Sequence, residues 1–555
     1  MSEISDQLES FNRIDYAIAD FLSRRASATL TDAEKKIINT LIKRLSFDQS
    51  QGHYCLALTL PEQKLLNRSG LCCDRTVYSD KYYPLVVDDG FLYFQRYWSY
   101  ESRLAHKLSE LARQVNTIID LEDLIDRYCG QSETDAPQKT AIKKAVEHNF
   151  CIITGGPGTG KTTTICKLLA VLQESSPEKL NIALAAPTGK AAMRLQEAVS
   201  YNLAKLPCSD PVRASLPTSA VTLHRLLGSK APKPYFHHDA DKPLAYDVVV
   251  IDEASMVDLA LMCKLVEALK ADSRLILIGD KNQLASVESG SVLADLIVGF
   301  PGNTCELTHS FRFVNNIKLI AESINQQDNQ SAWALITKAE LLIPHSELTN
   351  YAITQWQKYA DSVHGNAELT DIYQHFIAFQ VLCSNRHGHS GSFALSKHIE
   401  QALFGLIATN QRSQWYHGRP ILITQNNPEH QLFNGDIGIC LRNKKGVPGL
   451  SVFFQRPDGS VQSYPPSRIA ACETAFATTI HKSQGSEFDE VLVVLPDSPN
   501  KVLSKELLYT AVTRAKQSIR FVATKDVFDA AINRKISRTT RLSEHIQTIN
   551  TMQPG

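Results

Sequence analysis

The chain has 555 residues, enough for roughly three or four domains, and 43% of them are hydrophobic, ample for several packed cores. Its 58 basic and 58 acidic side chains cancel, so a polyanion partner cannot be read from net charge and needs a local basic groove. The opening MSEISDQLES lacks the regions of a signal peptide, no apolar run approaches the ~18 residues of a membrane helix, and the 12 cysteines are scattered without a C-x-x-C, so the expectation is a cytoplasmic chain with neither a disulfide framework nor a zinc site.

Residues 1 to about 115 carry mixed helical periodicity and predict a mainly helical N-terminal domain. Within them FLYFQRYWSYESRLAHKL reads as a strand running into a helix. From about residue 140, short β-branched runs alternate with helical patterns: FCIIT, IALAA, DVVVIDE and RLILIGD. That alternation predicts an α/β fold of parallel strands joined by crossover helices. The polar stretch SINQQDNQS, residues 323–331, reads as a loop. A second series follows in FQVLCSN, RPILITQN and EVLVVL. Between the last two, Asn434-Gly435 and Asp458-Gly459 are hairpin dipeptides flanked by alternating runs, which predicts a small antiparallel insertion. No repeat of solenoid period and no long low-complexity tract is present.

FCIITGGPGTGKTTTICKLL places a strand, a glycine-rich turn and a helix in the order of a phosphate-binding loop. Gly155, Gly160, Lys161 and Thr162 fill G-x-x-x-x-G-K-[ST], with Gly156, Pro157, Gly158, Thr159 and Thr163 completing the cradle. Backbone N–H groups at a helix N-terminus suit a phosphate chain. Lys161 is expected to reach the β and γ phosphates and Thr162 to offer its hydroxyl to Mg²⁺. VVVIDEASMVD puts Asp252 and Glu253 at the end of a buried strand beside that loop. Asp252 fits the metal-holding role, and Glu253 the orientation or deprotonation of an attacking water. Together they predict ATP hydrolysis.

GGPGTGKT, AAPTGKAAMRL, TLHRLLG, VVVIDEAS, LIGDKNQLASVESG, LTHSFRF, ATTIHKSQGSEFD and LYTAVTRAK stand in the order of the superfamily 1 helicase motifs. They resemble most the RecD group, the 5′→3′ translocating branch, over residues about 130 to 525. The stretch LYFQRYWSYESRLA is similar to the N-terminal region of the RecD-type subunits of RecBCD enzymes. The resemblance implies two RecA-like motor domains, 116–300 and 301–555, with an SH3-like insertion at about 418–472. It also implies an N-terminal domain, 1–115, that contacts partner subunits. Residues about 228–246 resemble a strand-parting pin, and an ordinary surface hairpin is the equal alternative.

By the same resemblance Arg312 and Arg514 are arginine fingers from the second motor, and Gln283 senses the γ phosphate. Gln138 and Phe311 read and stack on adenine, and Gln484, Gly485 and Glu487 face the nucleotide, with Glu487 near the ribose. Thr188, Lys190, Thr222, His224, Thr479, His481 and Ser483 are the implied contacts to the DNA backbone. The implied partners are single-stranded and duplex-end DNA and RecB-like and RecC-like subunits. The implied cofactors are ATP and Mg²⁺. The chain carries no D…E-x-K nuclease cluster, so cutting of DNA falls to another subunit. A stand-alone RecD-like helicase is the alternative, and an inactive scaffold subunit conflicts with the full set of catalytic residues.

Overall fold

Short apolar runs bounded by glycine and polar turns become the strands of two parallel sheets, because only a doubly covered sheet buries both faces of such a run. A computed structural model describes residues 11–74, 83–130, 135–229, 235–284, 292–309, 315–407, 414–443, 448–456, 460–536 and 538–552. The first sheet has the order Thr304–Leu307, Phe150–Gly155, Arg274–Gly279, Val248–Ile251, Ile182–Ala186, Val221–Thr222, with every pair parallel. Alternate residues serve two cores. Phe150, Ile152, Val249 and Leu277 face one layer of helices, while Cys151, Ile153, Val250 and Ile276 face the other.

The second sheet runs Ala477–Thr479, Phe379–Cys383, Phe488–Val494, Ala515–Val522, also parallel. Val491 and Val493 enter one core, Leu492 and Val494 the other. Between its strands lies a five-stranded antiparallel sheet in the order Val461–Tyr464, Leu450–Gln455, Ile437–Arg442, Arg419–Ile423, Cys472–Thr474. Arg419–Ile423, read from sequence with the parallel series, belongs to this antiparallel sheet. Its alternation is hidden because Leu422 packs into a core of the second domain while Ile421 and Ile423 pack into the small sheet's own core. Gly435 opens the strand that follows, and Asp458-Gly459 lies outside the described residues.

The N-terminal region holds the helices Arg13–Ser23, Asp32–Ser50, Leu60–Arg68 and Gln95–Ala112. Thr31 and Glu34 start the second of these by capping each other's backbone N–H. A four-stranded sheet, Cys55–Ala57, Phe91–Phe94, Leu85–Asp88, Cys72–Asp74, accompanies them; of its strands only Phe91–Phe94 is read from the sequence. Strand Phe91–Phe94 feeds directly into helix Gln95–Ala112.

Three expected boundaries move. Thr304–Leu307 pairs with the strand of the phosphate loop, so the divide between the parallel sheets follows Leu307 rather than residue 300. Helix Leu542–Met552 leaves the second domain and packs on Gln95–Ala112 and Val292–Gly299, with Leu542 and Ile546 buried in a core of the first. Residues 323–331 are mostly helical. Asn315–Asn325 and Asn329–Lys338 are separated by three residues, and Asp328 caps the second helix through the Ser331 N–H. In the segment expected to form a pin, residues 230–234 lie outside the described residues and 235–246 contain no strand. Phe236 packs on the first domain's core, and the Leu244 N–H donates to the Ala268 carbonyl.

Candidate active site

The loop after Phe150–Gly155 turns into helix Lys161–Glu174 at Gly160, whose φ of +82° is a left-handed conformation that glycine adopts without strain. Lys161 follows at once, and its ammonium donates to the Gly155 and Gly156 carbonyls at 2.7 and 2.9 Å. The Thr159 hydroxyl donates to the Gly156 carbonyl at 2.8 Å and holds the turn. Asp252 stands at the C-terminal end of Val248–Ile251; strand Arg274–Gly279 intervenes between it and the phosphate-loop strand, so the two motifs are not immediate neighbours in the sheet. Burial and then the adjacent Glu253 push the Asp252 carboxyl up to about 6, with Lys161 opposing. Glu253 sits at φ +52°, and its N–H donates to Asp252 Oδ1 at 2.9 Å.

These groups line one side of a cleft of about 1000 Å³, together with Gln138, Pro157, Gly158, Thr162 and Thr163. The opposite side comes from the second domain: Gly485, Glu487 and Arg514. Arg514 follows helix Lys505–Val512 and is 2% exposed; its guanidinium donates to the Thr510 and Ser486 carbonyls at 3.2 and 3.1 Å. Burial lowers its pKa, while Glu253 and Glu487 favour the charged form. Buried Gln283 donates to Asp280 Oδ2 at 3.0 Å, and Tyr509 of the second domain donates to the same oxygen at 3.1 Å. The Leu284 N–H donates to Thr510 Oγ1 (2.8 Å) and Gln484 Nε2 to the Leu284 carbonyl (2.7 Å), so the two domains are stitched along the cleft floor. Thr162 and Asp252, both on the cleft wall, offer the hard oxygen donors that suit Mg²⁺. Phe311 and Arg312 lie outside the described residues.

The expected DNA contacts are more dispersed. Thr188 and Thr222 cap short helical starts, accepting from the Ala191 and Arg225 N–H groups. His224 is exposed, its ring centroid 5.8 Å from that of Phe236. Thr479 and Ser483 are buried, and the Ser483 hydroxyl donates to the Ile480 carbonyl at 2.7 Å, closing its own turn. Burial lowers the pKa of His481. Lys190, expected to grip phosphates, is half-buried and donates to the Gly435 carbonyl at 3.2 Å. Burial and nearby Arg194 bring its pKa down to about 8.

Residues 138–289 match the AAA domain, and residues 474–522 match the UvrD-like helicase C-terminal domain. Across 490 residues the chain is 37% identical to the RecBCD enzyme subunit RecD of Mycobacterium tuberculosis, covering 83% of this chain and 81% of that one. The chain belongs to the RecD family. The RecD subunit of Haemophilus influenzae is 35% identical over 535 residues, 84% of this chain and 82% of its own. The ATP-dependent RecD2 DNA helicase of Deinococcus radiodurans is 31% identical over 418 residues, 74% of this chain and 52% of that longer protein.

Several residues of this RecD-family cleft escaped the sequence reading. Lys167, on the face of helix Lys161–Glu174 that turns to the cleft, donates to Gln138 Oε1 at 2.9 Å. Tyr201 and Asn202 line the rim. Arg194 spans the domains, donating to the Gly485 carbonyl at 2.7 Å and pairing with Glu487 at 3.1 Å. Its place in AAPTGKAAMRL, four residues after Lys190, was the available signal, since i and i+4 share a helix face.

Proposed function

We propose that this chain is an ATP-driven DNA helicase that translocates 5′→3′ as the RecD-type subunit of a RecBCD-type helicase–nuclease, with RecB-like and RecC-like partners. One observation carries the reading: a phosphate loop and a buried Asp-Glu pair from one parallel-sheet domain face Arg514 and Glu487 of the other across a single cleft. Cleft closure then places cations on the transferring phosphoryl group only when both domains engage.

In this mechanism the backbone cradle from Gly155 to Thr163 and Lys161 hold the triphosphate. Thr162 and Asp252 would hold Mg²⁺, which when bound would supply positive charge to the phosphate oxygens. Glu253 orients the attacking water and takes up its proton. Gln283, fixed by Asp280, reads the γ phosphate, and Gln138, fixed by Lys167, meets the base. Arg514 stabilises the transition state, with Arg312 assigned the companion role and Phe311 the base stack. Glu487 lies toward the ribose. Thr188, Lys190, Thr222, His224 and His481 are assigned to the surface followed by the DNA backbone, and buried Thr479 and Ser483 shape the loop that presents His481. The domain plan is an N-terminal subunit-contact region to about 115, a first motor ending at Leu307, and a second motor carrying the antiparallel sheet.

The test is affinity recovery of the tagged chain from its own host, followed by strand displacement on 5′-tailed and 3′-tailed duplexes. Co-recovery of two larger subunits, with Lys161→Gln abolishing displacement on the 5′-tailed substrate, is expected. A monomer fully active alone supports the stand-alone alternative, and unchanged displacement by Lys161→Gln overturns the motor assignment.

A further inference from the structure

Half-buried Lys190 lies at the start of a helix that touches three bodies. Helix Gly189–Lys205 presents Gly189, Lys190 and Arg194 from its first two turns, with Lys190 and Arg194 one turn, about 6 Å, apart on one face. Arg194 reaches into the second motor at Gly485 and Glu487, both of which line the nucleotide cleft. Lys190 reaches the antiparallel sheet at the Gly435 carbonyl. Beside it the Phe433 ring lies directly on the helix backbone: a Cβ on Gly189 would fall 2.5 Å from Phe433 Cγ, a contact that only glycine permits.

The loop that receives the helix is itself braced. The Phe433 N–H donates to Asp436 Oδ2 at 2.9 Å, and the Asp436 N–H returns to the Phe433 carbonyl at 3.0 Å. Gly435 N–H donates to Ile423 of the neighbouring strand at 2.9 Å, and Arg456 pairs with Asp436 at 3.6 Å. A displacement of Phe433 is therefore carried into the strands rather than absorbed by the loop. A cavity of about 420 Å³, whose mainly apolar lining also includes Lys190, Arg194, Asp436, Arg456 and Glu487, lies between this contact and the wall of the nucleotide cleft. Burial and nearby Arg194 bring the Lys190 pKa down to about 8, with Asp436 favouring its charge, and removing the loop would leave the half-buried ammonium without its carbonyl.

We propose that the loop 433–436, docked on the first turn of helix Gly189–Lys205, is the contact through which closure of the nucleotide cleft moves the antiparallel sheet, with Phe433 and Lys190 as positioning residues and Arg194 as the link to the cleft. The inference rests on the helicase reading. Arg194 follows Gly485 and Glu487 as the domains approach, the helix moves as one piece, and the Phe433–Gly189 contact passes that motion to the sheet.

The test measures ATP hydrolysed and base pairs separated by the same preparation, for wild type, Phe433→Ala and Phe433→Leu. In Phe433→Ala, DNA-dependent ATP hydrolysis stays within about twofold while base pairs separated per ATP fall at least tenfold, and Phe433→Leu restores most of the loss by keeping apolar bulk on Gly189. Unchanged separation per ATP, or a proportional fall of both quantities, overturns the proposal. Absence of any unwinding by wild type instead rejects the helicase reading. Hydrogen–deuterium exchange on the wild-type protein gives an answer independent of folding of the variants: a non-hydrolysable ATP analogue changes protection at 433–436, and identical protection with and without it overturns the coupling.

Discussion

Arg514→Ala separates a transition-state cation from a structural one. The guanidinium is buried and makes two bonds, to the carbonyls of Thr510 and Ser486; in the variant the Thr510 carbonyl keeps the Thr513 hydroxyl, and the Ser486 carbonyl loses the guanidinium. An unpaired buried acceptor costs ~1–3 kcal/mol, so the second domain loses about 1–3 kcal/mol and its melting temperature drops. The catalytic effect is separate. An arginine finger contributes roughly 10³–10⁵ in turnover, or about 4–7 kcal/mol of barrier, and that interaction strengthens only as charge develops on the γ phosphate. Single-turnover hydrolysis with saturating nucleotide is expected to slow by about 1000-fold or more. Affinity for a non-hydrolysable ATP analogue, measured below the lowered melting temperature, changes by only a few-fold. Arg514→Lys keeps the charge but cannot bridge both carbonyls, and it recovers part of the rate at most. A loss of affinity that matches the loss of turnover, or a rate within tenfold of wild type, refutes the finger role.

Lys161→Gln removes the cation assigned to the β and γ phosphates, and it is expected to leave almost no DNA-stimulated hydrolysis in a steady-state phosphate-release assay; retained turnover contradicts the site. Asp295→Asn tests a carboxyl that burial and the neighbouring Glu101 push up to about 7 from 3.8. Between those values the folded chain holds a proton that the unfolded chain lacks, so wild-type stability falls as pH rises through that window, by at most ~4 kcal/mol from this group. The variant is therefore expected to match wild type near pH 4 and to melt higher above pH 7; a difference independent of pH refutes the assignment. Arg541→Ala removes bonds to the Asp88 carbonyl and to Asp89 that pin the C-terminal helix to the N-terminal region, a loss of about 1–3 kcal/mol. Limited proteolysis is expected to release residues beyond about 535 first, and an unchanged cleavage order counts against that latch.

The nucleotide side of the cleft was legible because its signals are local. The phosphate loop and the Asp-Glu pair each sit in one run of residues, at the end of a strand whose apolar character declares burial on both faces. What escaped depends on partners distant in sequence. Thr304–Leu307 is four residues long, and only its pairing with Phe150–Gly155 assigns it to the first sheet. Arg419–Ile423 looks like a central parallel strand because two different cores cover its two faces. Helix Leu542–Met552 carries an ordinary amphipathic pattern, and nothing in it names Gln95–Ala112 as the surface it covers. Lys190 was read as a phosphate contact from its motif, yet its partner is a carbonyl 245 residues away. Residue type and spacing reveal chemistry within one segment; which domain a long side chain reaches is settled by the packing of domains.

The central claim is that hydrolysis in this cleft drives movement along DNA, and its most direct measurement is strand displacement on a 5′-tailed duplex by wild type and Lys161→Gln chains, each recovered with its partner subunits. The account predicts ATP-dependent displacement by wild type and its loss in the variant, with DNA binding in the absence of nucleotide retained by both. Equal displacement by the two preparations, or none by wild type despite rapid DNA-stimulated hydrolysis, would contradict it.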